Sequence, residues 1–308
     1  MGRFFVRRIP QTVVVLFGVV TLTFILTHVV PGDPARLIAG PNASAETVAS
    51  IHHELGLDES LFQQYLLYVQ GLLHGDLGQS YALAGQSVAD AILHALPVSI
   101  AVAVAGVLFE VLIGVPVGII AAYRPKGLLD RLTTFGTLLG LSAPPFWLGL
   151  ILLYVFAYQL NVFPLTGWEP PYINYLILPG FTLGIGGAAW YARLTRTNMI
   201  EALRGPYVQM ARAKGMPERR VVLGHALRNV VAPLVTMLGM DFGYFLGGVV
   251  VIESVFGLPG VGKLTFDAIG TLDIPMITGA VLVAALFIVV MNLLVDLAYA
   301  AIDPRIRR

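Results

Sequence analysis

One basic block, residues 193–228, decides how this chain folds; it reads RLTRTNMIEALRGPYVQMARAKGMPERRVVLGHALR. It holds eight Lys and Arg residues and lies between two long apolar segments. Short loops rich in Lys and Arg stay in the cytoplasm, because these side chains resist translocation. The block is also far longer than a connection between two helices requires. We therefore expect a multi-span membrane protein that presents a basic, structured element to a partner inside the cell.

The composition of the whole chain also indicates a membrane protein. Hydrophobic residues make up 57% of 308 positions, charged residues only 12%, and the mean hydropathy is +0.80. A soluble domain carries about 25% charged residues, so this class is disfavoured. Cysteine is absent, which excludes a disulfide framework and thiolate metal sites.

Hydropathy predicts an all-α membrane protein with six spanning helices. They lie near residues 9–30, 98–122, 132–160, 175–194, 229–251 and 276–301. The first apolar run is longer than a signal-peptide core and lacks a cleavage site, so we expect a retained helix. Of the nineteen Lys and Arg residues, only Arg36 and Lys263 fall outside the predicted inner segments. Both termini are therefore predicted to be cytoplasmic.

The segment between the first two spans, residues 31–97, is predicted to be a small helical subdomain outside the membrane. Ser44 and Asp58 are expected to cap two short helices. An apolar stripe follows Asp58 at Leu61, Phe62, Tyr65, Leu66, Val69, Leu72 and Leu73. Such a stripe indicates packing onto the rest of the protein, and direct substrate binding is the alternative. Adjacent His52 and His53 point about 100° apart on a helix, which favours a solvated face over a metal site.

Glycine and proline have positional meaning inside the spans. Gly239, Gly243 and Gly247 recur every fourth residue, so they form a smooth strip on one helix face. Gly180, Gly184 and Ala188 do the same in the fourth span. Such strips indicate helix packing, or surfaces on which helices slide during gating. Pro144 and Pro145 must kink or interrupt the third span, which marks a candidate pathway.

Three acids lie within the apolar runs: Glu110, Asp241 and Asp296. A carboxylate at the membrane centre costs about 2.5–3.5 kcal/mol, so each acid should face protein or water. One hypothesis is a proton relay. The other is a neutral or hydrogen-bonded acid that holds helices together, which is favoured because the spans contain no series of Lys, Arg or His residues that could form a relay chain.

One stretch resembles a nucleotide-binding loop but lacks a residue that such a loop needs. Residues 257–263 match a phosphate-binding loop, but Leu264 stands where Ser or Thr must ligate Mg²⁺. The stretch should also lie outside, away from cytoplasmic ATP. We find no Ser/His/Asp or metal-ligand constellation in the sequence. We therefore expect that this chain is not an enzyme and binds no metal or cofactor itself.

The basic block itself predicts a short helix, a turn and a second helix. The run from Tyr207 to Gly215 is typical of a helix that glycine ends. Pro217 then permits a new start, which leads into the fifth span. This arrangement suits a knob that fits a groove on a partner. The alternative is a helix that lies flat on the inner membrane surface, because basic residues attract anionic lipid.

Six motifs follow one another along the chain. They are Pro31-Gly-Asp-Pro-Ala-Arg-Leu-Ile38, His74-Gly-Asp-Leu-Gly78, Tyr207-Val-Gln-Met-Ala-Arg-Ala-Lys-Gly215, His225-Ala-Leu-Arg-Asn229, Glu253-Ser-Val-Phe-Gly-Leu-Pro-Gly-Val-Gly262 and Asp303-Pro-Arg-Ile-Arg307. With these motifs the chain resembles, over nearly its whole length, the membrane permease subunits of bacterial binding-protein-dependent ABC importers. This family includes dipeptide, oligopeptide, nickel and glutathione permeases.

The resemblance implies the fold of a type I ABC importer permease, in which the 207–215 region is a coupling helix. The implied ATPase-coupling residues are Tyr207, Ala211, Arg212, Lys214 and Gly215, and the candidate packing or pathway residues are Pro144, Gly239, Asp241, Gly243 and Gly247. The implied domains are a cytoplasmic N-terminus with the first helix (1–30), the outer subdomain (31–97), a five-helix core with the coupling loop 195–228 (98–302) and a cytoplasmic tail (303–308).

The resemblance also implies a machine in the bacterial cytoplasmic membrane. The partners would be a second, homologous permease, one or two cytoplasmic ATPases that bind ATP and Mg²⁺, an external solute-binding protein and membrane lipid, with no nucleic acid. The solute would be a short peptide, with glutathione or nickel as alternatives. A proton-coupled secondary transporter that uses Glu110, Asp241 and Asp296 is the hypothesis from another class.

Overall fold

The computed structural model describes residues 2–29, 33–40, 43–54, 56–83, 85–123, 125, 127, 131, 135–136 and 143–302. Regular secondary structure in these residues is helical, apart from one isolated bridge between Gln79 and Ser87. The first helices are α1 (Gly2–Val29), α2 (Pro34–Ala39), α3 (Ala45–Glu54), α4 (Leu61–Leu73) and α5 (Val88–Tyr123). They are followed by α6 (Pro145–Leu152), α7 (Ile173–Arg204), α8 (Pro206–Ala213), α9 (Glu218–Arg220), α10 (Leu227–Phe256), α11 (Val261–Thr271) and α12 (Ile274–Ile302). Two π-helical segments, Leu153–Gln159 and Val221–Ala226, continue α6 and precede α10.

Five helical stretches within the described residues are long and apolar enough to cross a membrane. They are Pro10–His28, Val88–Tyr123, Ile173–Arg204, Glu218–Gly243 and Ile274–Leu294. The number is six if Val249–Phe256 and Val261–Thr271 count as one broken span. Each of the five overlaps a span that hydropathy predicts. The all-α membrane fold is therefore confirmed.

The third predicted span is described only in its second half. Ala143 and Pro144 are not helical, and Pro144 is extended, with φ −60° and ψ 131°. The helix begins at Pro145, whose missing N–H is not needed in a first turn. The predicted interruption at Pro144 is therefore confirmed. Residues 132–134 and 137–142 of this span, and the tail 303–308, lie outside the described residues.

The chain divides into two compact units. The first unit contains residues 1–97 and 260–287, and the second contains residues 98–259 and 288–308. The predicted division at residues 30, 97 and 302 stays a prediction.

The segment between α1 and α5 forms the predicted helices with two differences. Ser44 caps α3, because its Oγ accepts a hydrogen bond of 3.1 Å from the N–H of Thr47. The predicted Asp58 cap is wrong: α4 begins after Ser60, whose Oγ accepts from the N–H of Gln63. A capping side chain must directly precede the first turn, and Ser60 does so. The predicted packing of the α4 stripe onto the protein is confirmed for Tyr65, which contacts Thr21 and Phe24 of α1. It is wrong for the stripe residues that are exposed, which are Leu61, Phe62, Leu66 and Leu73.

The two adjacent histidines differ from each other. His53 is exposed, as predicted, but His52 is only 32% exposed and its Nε2 lies 2.9 Å from Asp33 Oδ1. Asp33 Oδ1 also accepts a hydrogen bond from the N–H of Ala35 and so caps α2. A solvated face is therefore wrong for His52. The described residues contain no group of three His, Asp or Glu side chains that could hold a metal ion.

A buried carboxylate ties the loop before α5 to the start of α12 in the first unit. Asp273 is 1% exposed and accepts a hydrogen bond from Ser80 Oγ. It also accepts from the N–H groups of Ala82 at 3.2 Å and Met276 at 3.3 Å. These donors compensate for the loss of water around the carboxylate.

In the second unit, α5 and α7 pack with their backbones in close approach. A Cβ atom added at Gly184 would lie 2.5 Å from Phe109 Cβ, and one added at Gly180 would lie 2.7 Å from Ala105 Cβ. From the other side, a Cβ atom at Gly114 would lie 2.5 Å from the carbonyl oxygen of Ala188. The Gly180, Gly184 and Ala188 strip is therefore a packing surface, as predicted.

Candidate functional site

A turn at Gly205 separates α7 from the short helix α8. Gly205 is extended, with φ −64° and ψ 147°, and its N–H donates to the carbonyl of Ala202. The following Pro206 occupies the first helical position, where its fixed φ suits a helix start. The ring of Tyr207 folds back over Gly205, where an added Cβ atom would lie 2.5 Å from Tyr207 Cε1. The chain therefore turns sharply at a position that only glycine fills without a shift.

One face of α8 belongs to the core of the second unit. Val208 is 0% exposed and Ala211 is 5% exposed. Both pack in a cluster with Met199 and Ala202 of α7 and with Val221 of the following π-helical segment. The apolar residues of α8 that are buried thus point into protein. These two side chains therefore do not contact lipid, and the alternative of a helix held flat on the inner membrane surface by its basic residues stays a prediction.

The opposite face of α8 is exposed and mixed in character. Tyr207 is 40% exposed and Met210 is 60% exposed, and the exposed residues beside them include Gln209, Arg212 and Lys214. An exposed methionine and tyrosine next to cations are typical of a protein interface, since Met, Tyr and Arg are enriched there. The arrangement can bind a partner groove with apolar and acidic walls.

The end of α8 has the geometry that the sequence predicts. Gly215 is left-handed, with φ +72°, and its N–H donates to the carbonyl of Arg212 at 2.9 Å. The N–H of Met216 donates to the carbonyl of Ala211 at 3.3 Å. These bonds satisfy carbonyls that the helix end leaves open. Pro217 then precedes α9, so the predicted new start is confirmed as well.

An exposed ion pair closes the loop between α8 and α9. Arg212 donates two hydrogen bonds to Glu218, at 2.6 Å to Oε1 and 3.2 Å to Oε2. These hydrogen bonds to the carboxylate raise the pKa of Arg212. Arg212 is therefore held by its own chain in this conformation, whereas Lys214 is exposed at the helix end. Direct contact of either cation with an ATPase stays a prediction.

Two acids within the predicted spans of the second unit, Glu110 and Asp241, lie where α5, α7 and α10 meet. Glu110 is 2% exposed, and its Oε2 has no hydrogen-bond partner among the described residues. Asp241 accepts a hydrogen bond of 2.5 Å from the hydroxyl of the fully buried Tyr191. This bond ties α7 to α10, in agreement with a role in helix packing. The side chain of Asp296 lies outside the described residues.

The candidate packing glycines lie in α10. Gly239 is buried, and a Cβ atom added at Gly243 would lie 3.6 Å from Ile288 of α12, an ordinary contact distance. The surroundings of Gly247 lie outside the described residues. Roles of Pro144, Gly239, Asp241 and Gly243 in a solute pathway stay predictions.

Two residues of the second unit, Glu253 and Gly187, were not predicted from the sequence as site residues. Glu253 is 0% exposed and accepts a hydrogen bond of 2.6 Å from Ser99 Oγ, which fixes the end of α10 to α5. Gly187 faces the carboxyl group of Glu110. A carboxylate within an apolar helix is a signal that singles out Glu110, and it applies equally to Glu253 three residues before the end of α10.

Comparison with known proteins gives a consistent result over the whole chain. Residues 114–308 match the family described as binding-protein-dependent transport system inner membrane component, and residues 1–103 match its N-terminal family. The glutathione transport system permease protein GsiC of Escherichia coli K12 is 39% identical over 310 residues, which covers 100% of this chain and 99% of that protein. The probable peptide ABC transporter permease protein y4tP of Sinorhizobium fredii is 40% identical over 314 residues, with 100% of both chains covered.

A solved structure shares the fold. It is an inward-facing form of the MetNI methionine ABC transporter, with a TM-score of 0.55 and 16% sequence identity. The match covers 69% of this chain and 96% of the chain in that structure.

Proposed function

Since this chain belongs to the family of binding-protein-dependent transport system inner membrane components, we propose that it carries short peptides, glutathione among them, into the cell. The chain is the permease subunit of an ABC importer, a multi-pass protein of the inner membrane. Subunits of this family work with an ATPase and a solute-binding protein. The observation that supports the solute class is the match along the full chain, at 39% and 40% identity, to a glutathione permease and a probable peptide permease.

In the proposed mechanism, α8 is the element on which an ATPase acts. Its buried face, Val208 and Ala211, joins it to α7, and its exposed face, with Tyr207 and Met210, contacts the ATPase. Closure of two ATPases on ATP and Mg²⁺ displaces α8, and the spans reopen toward the outside. This chain contributes no catalytic group. ATP and Mg²⁺ bind only on the ATPases, and a second, homologous permease completes the pore.

The proposed orientation places both termini and α8 in the cytoplasm. Seventeen of the nineteen Lys and Arg residues then lie on the inner side, as the positive-inside rule requires. Because the chain contains no cysteine, single cysteines report sidedness without background. A cysteine at the exposed Gln86 should react with an impermeant maleimide in intact spheroplasts, and one at the exposed Met210 only after permeabilisation. The opposite pattern would contradict the orientation.

The deciding experiment is reconstitution of the native complex, purified with gentle detergent, into vesicles that contain ATP. We expect a second permease and one or two ATPases to purify with the chain. Uptake of labelled dipeptide or glutathione should require the solute-binding protein and ATP, and should survive removal of the proton gradient. Nickel uptake alone would contradict the solute class. Uptake that needs the proton gradient and no ATP would overturn the mechanism.

A further inference from the structure

Helix α4 has an apolar face that no described residue covers. Phe62 is 71% exposed, Leu66 is 51% exposed and Leu73 is 82% exposed. These three residues lie four and seven positions apart, so they form one stripe on the helix. The sequence of α4, LFQQYLLYVQGLL, contains no charged residue. A soluble helix rarely combines an exposed stripe of this kind with a complete lack of charge.

Two side-chain hydrogen bonds fix the position of α4 along α1. The hydroxyls of Tyr65 and Thr21 lie 2.9 Å apart, and those of Tyr68 and Thr23 lie 3.1 Å apart. Thr21 and Thr23 belong to the apolar span Pro10–His28, which is long enough to cross a membrane. At 1.5 Å per residue they lie roughly 7–11 Å before the end of that span. Helix α4 therefore lies beside the hydrophobic part of α1, below the level at which α1 leaves the membrane.

Aromatic and polar side chains surround this contact. The ring of Phe24 lies 5.1 Å from that of Tyr65 and 5.7 Å from that of Tyr68. Towards the end of α1, His28 Nε2 lies 3.0 Å from Gln64 Oε1. Tyrosine rings are enriched at the boundary between hydrocarbon and water. The α1–α4 contact thus changes from apolar to polar along α1, as expected for a helix at a membrane surface.

Two glutamines form a polar edge of α4 next to the apolar stripe. At 100° per residue, Gln63 and Gln70 lie roughly 40–100° around the helix from the stripe, and both are exposed. A helix that lies in the membrane surface needs an apolar sector towards the acyl chains and a polar sector towards the headgroups. α4 provides both, with its third side occupied by α1.

We propose that α4 is an interfacial helix whose stripe, Phe62, Leu66 and Leu73, inserts into the acyl chains of the leaflet in which α1 ends. Gln63 and Gln70 then face the headgroups. Lipid is the molecule that covers the stripe, because the Thr21 and Thr23 contacts place α4 at the depth of the hydrocarbon, which a soluble binding protein does not reach. The proposal rests on the proposed function in one respect: the proposed orientation identifies this leaflet as the outer one.

The test uses the complete complex, with cysteine-free partner subunits, in phospholipid vesicles. Nitroxide labels are attached to single cysteines at Phe62, Leu66 and Leu73, and at the matched control positions Gln63 and Gln70 of the same helix. Collision rates are then measured with oxygen, which concentrates in hydrocarbon, and with a neutral nickel chelate, which stays in water. We expect oxygen to dominate at the three stripe positions and the nickel chelate to dominate at the two glutamines.

Two other outcomes would overturn the proposal. Dominance of the nickel chelate at the stripe would place it in water. Low collision rates with both reagents would place it against protein, either the second permease or the binding protein. Quenching of a tryptophan at Phe62 by lipids brominated at defined depths is a second measurement that needs no cysteine, with the unsubstituted chain as the control. All of these results report depth, so they do not depend on which side the termini occupy or which solute is carried.

Discussion

Gly187 of α7 lies directly against the carboxyl group of Glu110 on α5: a Cβ atom added at Gly187 would be 1.4 Å from Glu110 Oε1. The buried acid thus occupies the space that a side chain at position 187 would fill. Neighbouring Gly186 has nothing within 4 Å of its added Cβ atom. Alanine substitutions at these two adjacent glycines therefore distinguish the effect of packing from the effect of helix propensity on stability.

We expect Gly187→Ala to destabilise the second unit by about 1–3 kcal/mol, because the carboxyl group must move within a close-packed interface. The melting temperature of the purified complex in detergent measures this. Gly186→Ala, the matched control, should be neutral or slightly stabilising, since alanine favours helix. Glu110→Ala should relieve the clash, so the double variant should lose less than the sum of the single losses. Equal stability of the two glycine variants would contradict this packing.

The left-handed Gly215 predicts a functional loss at the end of α8. Proline fixes φ near −65° and has no N–H, so Gly215→Pro removes both the +72° conformation and the bond to the Arg212 carbonyl. We expect solute-stimulated ATP hydrolysis to fall, while the amount of protein in the membrane is retained. Gly215→Ala should cause a smaller loss, because the left-handed conformation costs about 1–2 kcal/mol. Gly224→Ala is the control, since its added Cβ atom meets nothing nearer than 3.9 Å. Unchanged stimulation in Gly215→Pro would refute a coupling role for this turn.

Substitutions in the Arg212–Glu218 pair can distinguish an effect on protein stability from an effect on coupling to the ATPase. Both side chains are more than one third exposed, so loss of the pair should change stability by less than about 1 kcal/mol. If Arg212 binds the ATPase, Arg212→Ala lowers solute-stimulated ATP hydrolysis, whereas Glu218→Ala frees the arginine and does not. Arg219→Ala, which removes an exposed cation of α9, is the control. Equal loss in the Arg212 and Glu218 variants would show that the loop shape matters and not the arginine itself.

Tyr81 predicts how the first unit responds to alkaline pH. Burial raises the pKa of Tyr81 from 10.0 to about 12, and the nearby Asp273 carboxylate adds to the increase. The unfolded chain loses this proton near pH 10, and the folded chain keeps it until about pH 12. The stability that Tyr81 contributes is therefore complete below pH 10 and is lost as the pH rises towards 12.

We expect this loss to be at most about 3 kcal/mol, because the pKa rises from 10.0 to about 12 and each pKa unit corresponds to about 1.4 kcal/mol. Tyr81→Phe has no hydroxyl to ionise, so its melting temperature should fall less than that of the unsubstituted chain between about pH 9 and 11. Parallel curves for Tyr81→Phe and the unsubstituted chain would contradict a partly buried Tyr81.

The features that were predicted correctly depend on single residues or on residues close together in the sequence. The helix end at Gly215 and the interruption at Pro144 follow from the backbone restrictions of single residues. The spans follow from apolar runs that are long compared with the membrane. Even locally, two neighbouring candidates compete: Asp58 and Ser60 can both cap a helix, and the position of the first turn selects Ser60.

The features that were missed depend on partners far away in the chain. Ser80 lies 193 residues from Asp273, and Ser99 lies 154 residues from Glu253. Which polar side chains meet depends on how the helices are arranged, and hydropathy does not determine this. The exposed stripe of α4 has the same cause, because periodicity predicts an apolar face but not whether protein or lipid covers it.

Helix α7 has 32 residues, so it is about 48 Å long and exceeds the roughly 30 Å of membrane hydrocarbon. Its last turns, which hold Met199 and Ala202, therefore extend beyond the hydrocarbon to meet α8. Packed against α5 through glycines, α7 would act as a lever that pivots inside the membrane if it moved as a rigid body. A tilt of about 10° around its midpoint displaces each end by about 4 Å. A displacement of α8 would then move the other end of α7, at the opposite membrane surface, by a similar distance in the opposite direction.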